Sequence, residues 1–171
     1  MSFIVQANSG NTVNIQAEQD GGINNILAAG HDFICGGIGD EFEITTSGSS
    51  LQVTVGSGEA LINGRSVRTD NTNTITLTAS SVTYLVLRID LTQAVGNEGL
   101  LYGLSSLSNL QTDNLNSGGS KHDLLLATIT SNASGVVSVV DNRDIRTSVL
   151  LSGTVLPATA QEGDIFFLYE E

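Results

Sequence analysis

From Ser50 to Leu91 the chain alternates apolar and polar residues in four short runs separated by turn formers. Leu51, Val53 and Val55 alternate with Gln52 and Thr54, the period of two that marks a half-buried strand. Gly56-Ser57-Gly58 then supplies residues able to take positive φ for a reversal. Glu59 to Asn63 runs back, and Asn63-Gly64 is the strongest short hairpin signal in the chain. Thr74 to Thr78 alternates again, with Ile75 and Leu77 inward. Tyr84 to Leu91 is the most apolar run, with Leu85, Leu87, Ile89 and Leu91 on one face. Its other face begins apolar at Tyr84 and Val86 and turns polar at Arg88 and Asp90. That pattern predicts a central strand covered on both sides at one end only.

The same reading extends to both sides. Glu41 to Thr46 is expected as a strand with Phe42 and Ile44 on one face. A further strand is expected near Leu100 to Leu104. Asp123 to Thr130 and Val136 to Val140 are expected as strands joined by a turn at SNASG. Leu125 and Ile129 join Val53, Val55, Ile75, Leu77, Leu85, Leu87 and Ile89 in the expected core. Residues before Asp40 read differently. Phe3-Ile4-Val5 and Thr12 to Gln16 are short strand candidates, and Ile23 to Ala29 has room for one or two helical turns. Gly30, Gly36, Gly37 and Gly39 then read as a loop. At the other end Asp164 to Tyr169, DIFFLY, is an apolar run that needs cover.

These patterns predict an all-β protein, an antiparallel β-sandwich of jelly-roll-like kind. Residues 1–40 form an N-terminal arm, 41–147 the sandwich, and 148–171 an extension ending in a short strand. Phe3, Ile4, Val5, Ile26, Leu27 and Phe33 in the arm are candidates for docking. So are Ile165, Phe166, Phe167 and Tyr169 at the end of the chain.

Composition narrows the function. Charged residues make up 14 % of the 171, with 19 Gly and no Trp, so little is left to build solvated helix faces. The net charge of −12 disfavours nucleic acid and anionic membrane as partners, since an acidic surface repels phosphate. No basic region followed by an apolar run marks a signal peptide, and no apolar run approaches the about 20 residues of a membrane span. Cys35, the single cysteine, has no intrachain partner and sits beside Phe33 and Ile34 as a small hydrophobe.

Candidate chemistry is sparse. His31 and His122 each precede an aspartate able to orient an imidazole, yet no third ligand stands at a telling spacing. DNTNT at Asp70 lacks the glycine and glutamate of a calcium loop. GGIG at Gly36 lacks the flanks of a phosphate loop. Asp141-Asn142-Arg143-Asp144-Ile145-Arg146 concentrates charge. It reads as an end of the sheet satisfied by Arg143 pairing with Asp141 or Asp90, in preference to a ligand site. No enzyme, cofactor or metal is expected.

A resemblance accompanies this reading. VGSGEALINGRSV, then a threonine-rich strand, then YLVLRIDL, resembles the N-terminal module of many tailed-phage fibre and baseplate-appendage proteins. HDLLLATIT and VVDNRDI resemble the strand pair that closes that module, so the likeness covers roughly Glu41 to Arg146. The ending GDIFFLYEE is similar to those of small phage structural proteins. The resemblance implies a virion part assembled in the host cytoplasm: a tail-fibre or baseplate appendage or adaptor. It implies a homotrimer that contacts other virion proteins, with the N-terminal part attaching. A head fibre or capsid decoration protein is the alternative within that class. From another class, a carbohydrate-binding β-sandwich module facing a host surface glycan is the alternative. Three Tyr and five Phe, mostly at strand positions, provide few platforms for sugar rings.

Overall fold

The computed structural model describes Asn24, Ile26, residues 28–94 and 98–147, and the backbone of residues 151–153 and 166–168. Among these the strands are β1 (Phe33–Gly39), β2 (Ile44–Thr46), β3 (Gln52–Val55), β4 (Gly58–Ile62), β5 (Arg65–Thr69) and β6 (Asn73–Thr76). They continue with β7 (Val82–Asp90), β8 (Gly99–Leu104), β9 (Lys121–Ser131), β10 (Val136–Asp141), β11 (Ile145–Arg146), β12 (Leu151–Gly153) and β13 (Phe166–Leu168). The fold is an all-β sandwich. One layer is the antiparallel sheet β10-β9-β7-β8; against it pack the sheets β11-β1-β4-β5 and β2-β3-β6. β1–β11 and β12–β13 pair in parallel. The core draws Ile34, Val53, Val55, Ala60, Ile62 and Phe42 from one side and Leu85, Leu87, Ile89, Leu124, Leu126 and Ile129 from the other.

The expected strands from Gln52 onward are present, but they do not form one meander. β3 pairs with β2 and β6, whereas β4 pairs with β5 and β1, so Gly56-Ser57 is a crossing between sheets. Neither Gly56 nor Gly58 takes positive φ, which corrects the turn expected there. Their glycines answer to crowding. A β-carbon on Gly56 would lie 2.6 Å from Asp40 Cβ, and one on Gly58 2.8 Å from the Phe42 ring. Asn63 and Gly64, at φ 47° and 78°, do close the β4–β5 hairpin, as the Asn-Gly pair predicts.

Three more expectations change. Phe33–Gly39 is a strand rather than a glycine loop of the arm: Ile34 is fully buried, pairs with Ala60 and Ile145, and belongs to the core. Glu41 and Phe42 are not extended. Both adopt left-handed backbone, at φ 53° and 55°, so only Ile44–Thr46 is strand there. The turn is held because Asp40 and Phe42 donate their amides to the Ser57 carbonyl, and because Phe42 is wholly buried. Leu91 lies beyond β7 and is exposed.

The last correction concerns register. β7 and β9 pair antiparallel, with Leu85 opposite Ala127 but Val86 opposite Leu125. Leu126 is thus an extra residue, a β-bulge that reverses which side faces inward. Leu124 faces the core before the bulge and Ala127 and Ile129 after it, so Leu125 leaves the core set that strict alternation assigned it. β7 is also covered on both faces along Leu85–Asp90, including the polar end. Truncating Leu126 to Ala should cost about 2–5 kcal/mol of unfolding free energy, as for a buried core leucine. Leu125→Ala should cost clearly less. Equal losses in urea titrations would contradict the bulge assignment.

Candidate functional site

Six cationic side chains serve the whole chain, so their destinations show what its chemistry is committed to. Arg88 on β7 stands opposite Asp123 on β9. Its Nε donates to Asp123 Oδ1 at 2.6 Å and its Nη2 to Oδ2 at 2.8 Å, a two-point guanidinium–carboxylate fork. Both residues are buried. The guanidinium lies 4.8 Å from the Tyr102 ring centre on β8. One rung along, Lys121 reaches Asp90 at 3.2 Å. The Thr92 hydroxyl, with the Thr92 amide and Gln93, holds Asp90 well below the usual carboxylate range.

The segment from Ser105 to Ser120 is stitched to this ladder. Gln111 donates its amide to Asp123 Oδ2 and accepts from the Asp123 amide, both at 2.8 Å. Asp113 accepts the amides of Ser120 and Lys121, which keep its carboxyl low. Leu115 is buried in the core, its amide bound to Asn63 Oδ1 and its carbonyl to Arg65 Nη2. Asn116 donates to the Asn63 carbonyl. Asn63 therefore both turns the β4–β5 hairpin and clasps the segment running from β8 to β9.

The remaining cations close corners. Arg143 pairs with Asp141 at 2.7 Å, not with Asp90, and holds the Asp141 carboxyl down. Its Nη1 donates to the Glu41 carbonyl at 2.8 Å, which ties the turn after β10 to the left-handed turn at Glu41. Arg146 pairs with Asp144 and lies 5.7 Å from the Phe33 ring centre. Arg68 pairs with Asp70 at the surface. His122 meets Asp32 at 2.8 Å. Each His-Asp dipeptide looks self-contained in the sequence; in the fold His122 takes the aspartate of the other, and Asp123 turns to Arg88.

Other candidates divide clearly. Burial, aided by the Glu59 carboxylate, pushes the Cys35 thiol up, away from the thiolate a reactive cysteine needs. Among the described residues no cluster of three or more His, Cys, Asp or Glu side chains is placed to hold a metal. Ile26 is exposed and Phe33 half-buried. Phe166 and Phe167 lie on β13, beside Ser152 and its neighbours on β12. Phe3, Ile4, Val5, Leu27, Ile165 and Tyr169 lie outside the described residues.

Two surfaces stay open among the described residues. A cleft of about 860 Å³ lies where β5, β6 and β8, each the last strand of its sheet, come together. Val67, Ile75, Leu87, Ile89 and Leu101 line it. Across the molecule the edge strand β10 exposes Val137 and Val140. Both surfaces offer apolar contact, and the cleft adds Arg65, Arg68 and Glu98 at its lining. No protein-family model matches the chain, and no curated protein matches it in sequence.

The two kinds of ion pair should differ sharply. Asp123→Ala leaves Arg88 buried without its counter-charge and should cost about 3–5 kcal/mol. Arg68→Ala removes a surface pair whose arginine side chain is 58 % exposed, and should cost under about 1 kcal/mol. Unfolding midpoints in denaturant check both, and similar losses would mean that the Arg88–Asp123 fork carries no special weight.

Proposed function

We propose that this protein is a non-enzymatic structural component of a tailed-phage virion, a tail-fibre or baseplate appendage or adaptor that works as a homotrimer. The observation that carries this reading is the commitment of the chain's cations. All six, together with His122, have a partner within this chain, and each reaches a second strand, turn or loop: Arg68 at Glu59, Arg143 at the Glu41 carbonyl and Arg146 at the Phe33 ring, besides their local aspartates. A polar inventory used in this way builds a rigid block for others to hold. The likeness of VGSGEALINGRSV, YLVLRIDL and VVDNRDI to the phage appendage module supplies the class.

The surfaces support the same role. An acidic protein of charge −12 repels its own copies except where apolar side chains meet, and Val137 and Val140 on β10, with Val67, Ile75 and Leu101 in the β5–β6–β8 cleft, provide such contacts. In a trimer each chain buries apolar area that it cannot cover alone. Attachment falls to the segment before β1, since β1 itself is part of the sandwich core. A head fibre or capsid decoration protein would use the same block at another place on the particle.

Light scattering at micromolar concentration should give three times the chain mass of 17.8 kDa. Electron microscopy of particles carrying labelled protein should put the label on the tail. A chain of monomer mass that never joins particles would overturn the proposal, and label on the head would move it to the capsid alternative.

A further inference from the structure

His122 sits at the end of β9 on the side that faces the other layer, opposite Ile89 of β7. Both of its ring nitrogens point at acceptors. Nδ1 is 2.7 Å from the Asp113 carbonyl oxygen, and Nε2 is 2.8 Å from Asp32 Oδ2. Neither acceptor has a proton to give while Asp32 is ionised. A neutral imidazole carries one N–H and satisfies one of these contacts; the imidazolium satisfies both. The geometry therefore selects the charged ring.

The ring joins three parts of the chain. Asp32 is the residue before β1, and its other oxygen accepts the Asn63 amide at 2.6 Å. Asn63 holds Leu115 and Asn116 of the segment that also carries Asp113. We propose that His122 is a proton-operated latch that fixes the chain just before β1 to the Asn63 turn and to the segment leading into β9. With the ring charged, the latch is closed. When the ring loses its proton, one nitrogen becomes an acceptor facing an acceptor, and the Asp32 contact, made by a side chain where the Asp113 contact is made by backbone, is the one that opens.

The surroundings favour the closed form. Asp32 stands before β1, Asp113 lies in the preceding segment, and Asp123 follows on β9. On β7, Arg88 and Asp90 flank the opposite position, but Arg88 is engaged by Asp123 and Asp90 by Lys121. Arg65 on β5 is bound to the Leu115 carbonyl. The hydrogen bond that His122 donates to Asp32 raises the ring above its ordinary value, against the opposing effect of burial. A group raised in the folded state stabilises fully below its unfolded value, about 6.5, and loses that contribution as pH climbs through the folded value. The latch thus opens on the alkaline side. It stands independently of the assembly role proposed above.

Ring-nitrogen NMR and amide exchange test it on the full chain. At about pH 7, above the ordinary histidine value, His122 should show both nitrogens protonated. The protection of the Asn63 amide relative to that of buried Val53 should fall by about tenfold or more between about pH 6 and pH 9, in step with the ring titration. In His122→Gln, which cannot titrate, that ratio should not change with pH, and His31→Gln should behave like the parent. A neutral ring at about pH 7, or an Asn63 ratio that ignores the ring titration, would overturn the latch. So would an unaltered pH response in His122→Gln. Should that variant fail to fold, coincidence of the two titrations in the parent protein decides alone.

Discussion

The antiparallel pairing of β7 with β9 settles which side chains meet which layer. These are the two inner strands of their sheet, and the bulge at Leu126 lets one ladder serve two purposes. Toward the other sheets it presents Leu85, Leu87, Ile89, Leu124, Leu126 and Ile129, the larger part of that side of the core. Away from them it presents Arg88, Asp90, Lys121 and Asp123, paired across neighbouring rungs. A fork buried on that side is tolerated because both partners are satisfied and because the Gln111 backbone caps the carboxylate. The segment between β8 and β9 takes its course from these charges, and through Leu115 it reaches the core and the Asn63 turn.

Much of this was legible in the residues. Period-two runs located β3, β6, β7, β9 and β10, and the Asn-Gly pair located the one tight hairpin among them whose φ values it dictates. What escaped was long-range. Nothing local distinguishes a glycine needed for positive φ from one needed because Asp40 or Phe42 presses against it, so the crossing at Gly56 read as a turn. β1 is not legible locally because its three glycines hide its alternation, and its pairing is with Ala60 and Ile145 far along the chain. The bulge leaves no mark within LLLAT, where every residue but the last is apolar.

The polar contacts followed the same division. Arg143 with Asp141 spans two residues and could be proposed from spacing alone. Arg88 with Asp123 spans 35 residues and His122 with Asp32 spans 90, and each depends on strand register that only the fold fixes. The two His-Asp dipeptides were the one visible trace of the latch. These long ties join distant parts of the sandwich, and the proposed place in a phage particle builds on that cross-linking together with the apolar side chains exposed on β10 and lining the β5–β6–β8 cleft.

If β7 and β9 are the frame on which the other strands depend, their amides should be the last to open. Native-state hydrogen exchange across a denaturant series measures this directly. Amides in Leu85–Asp90 and Leu124–Ile129 should exchange only through global unfolding, while β2, β6 and β11 open earlier at lower cost. Slowest exchange in β3 and β4, with β7 and β9 opening locally before them, would contradict it.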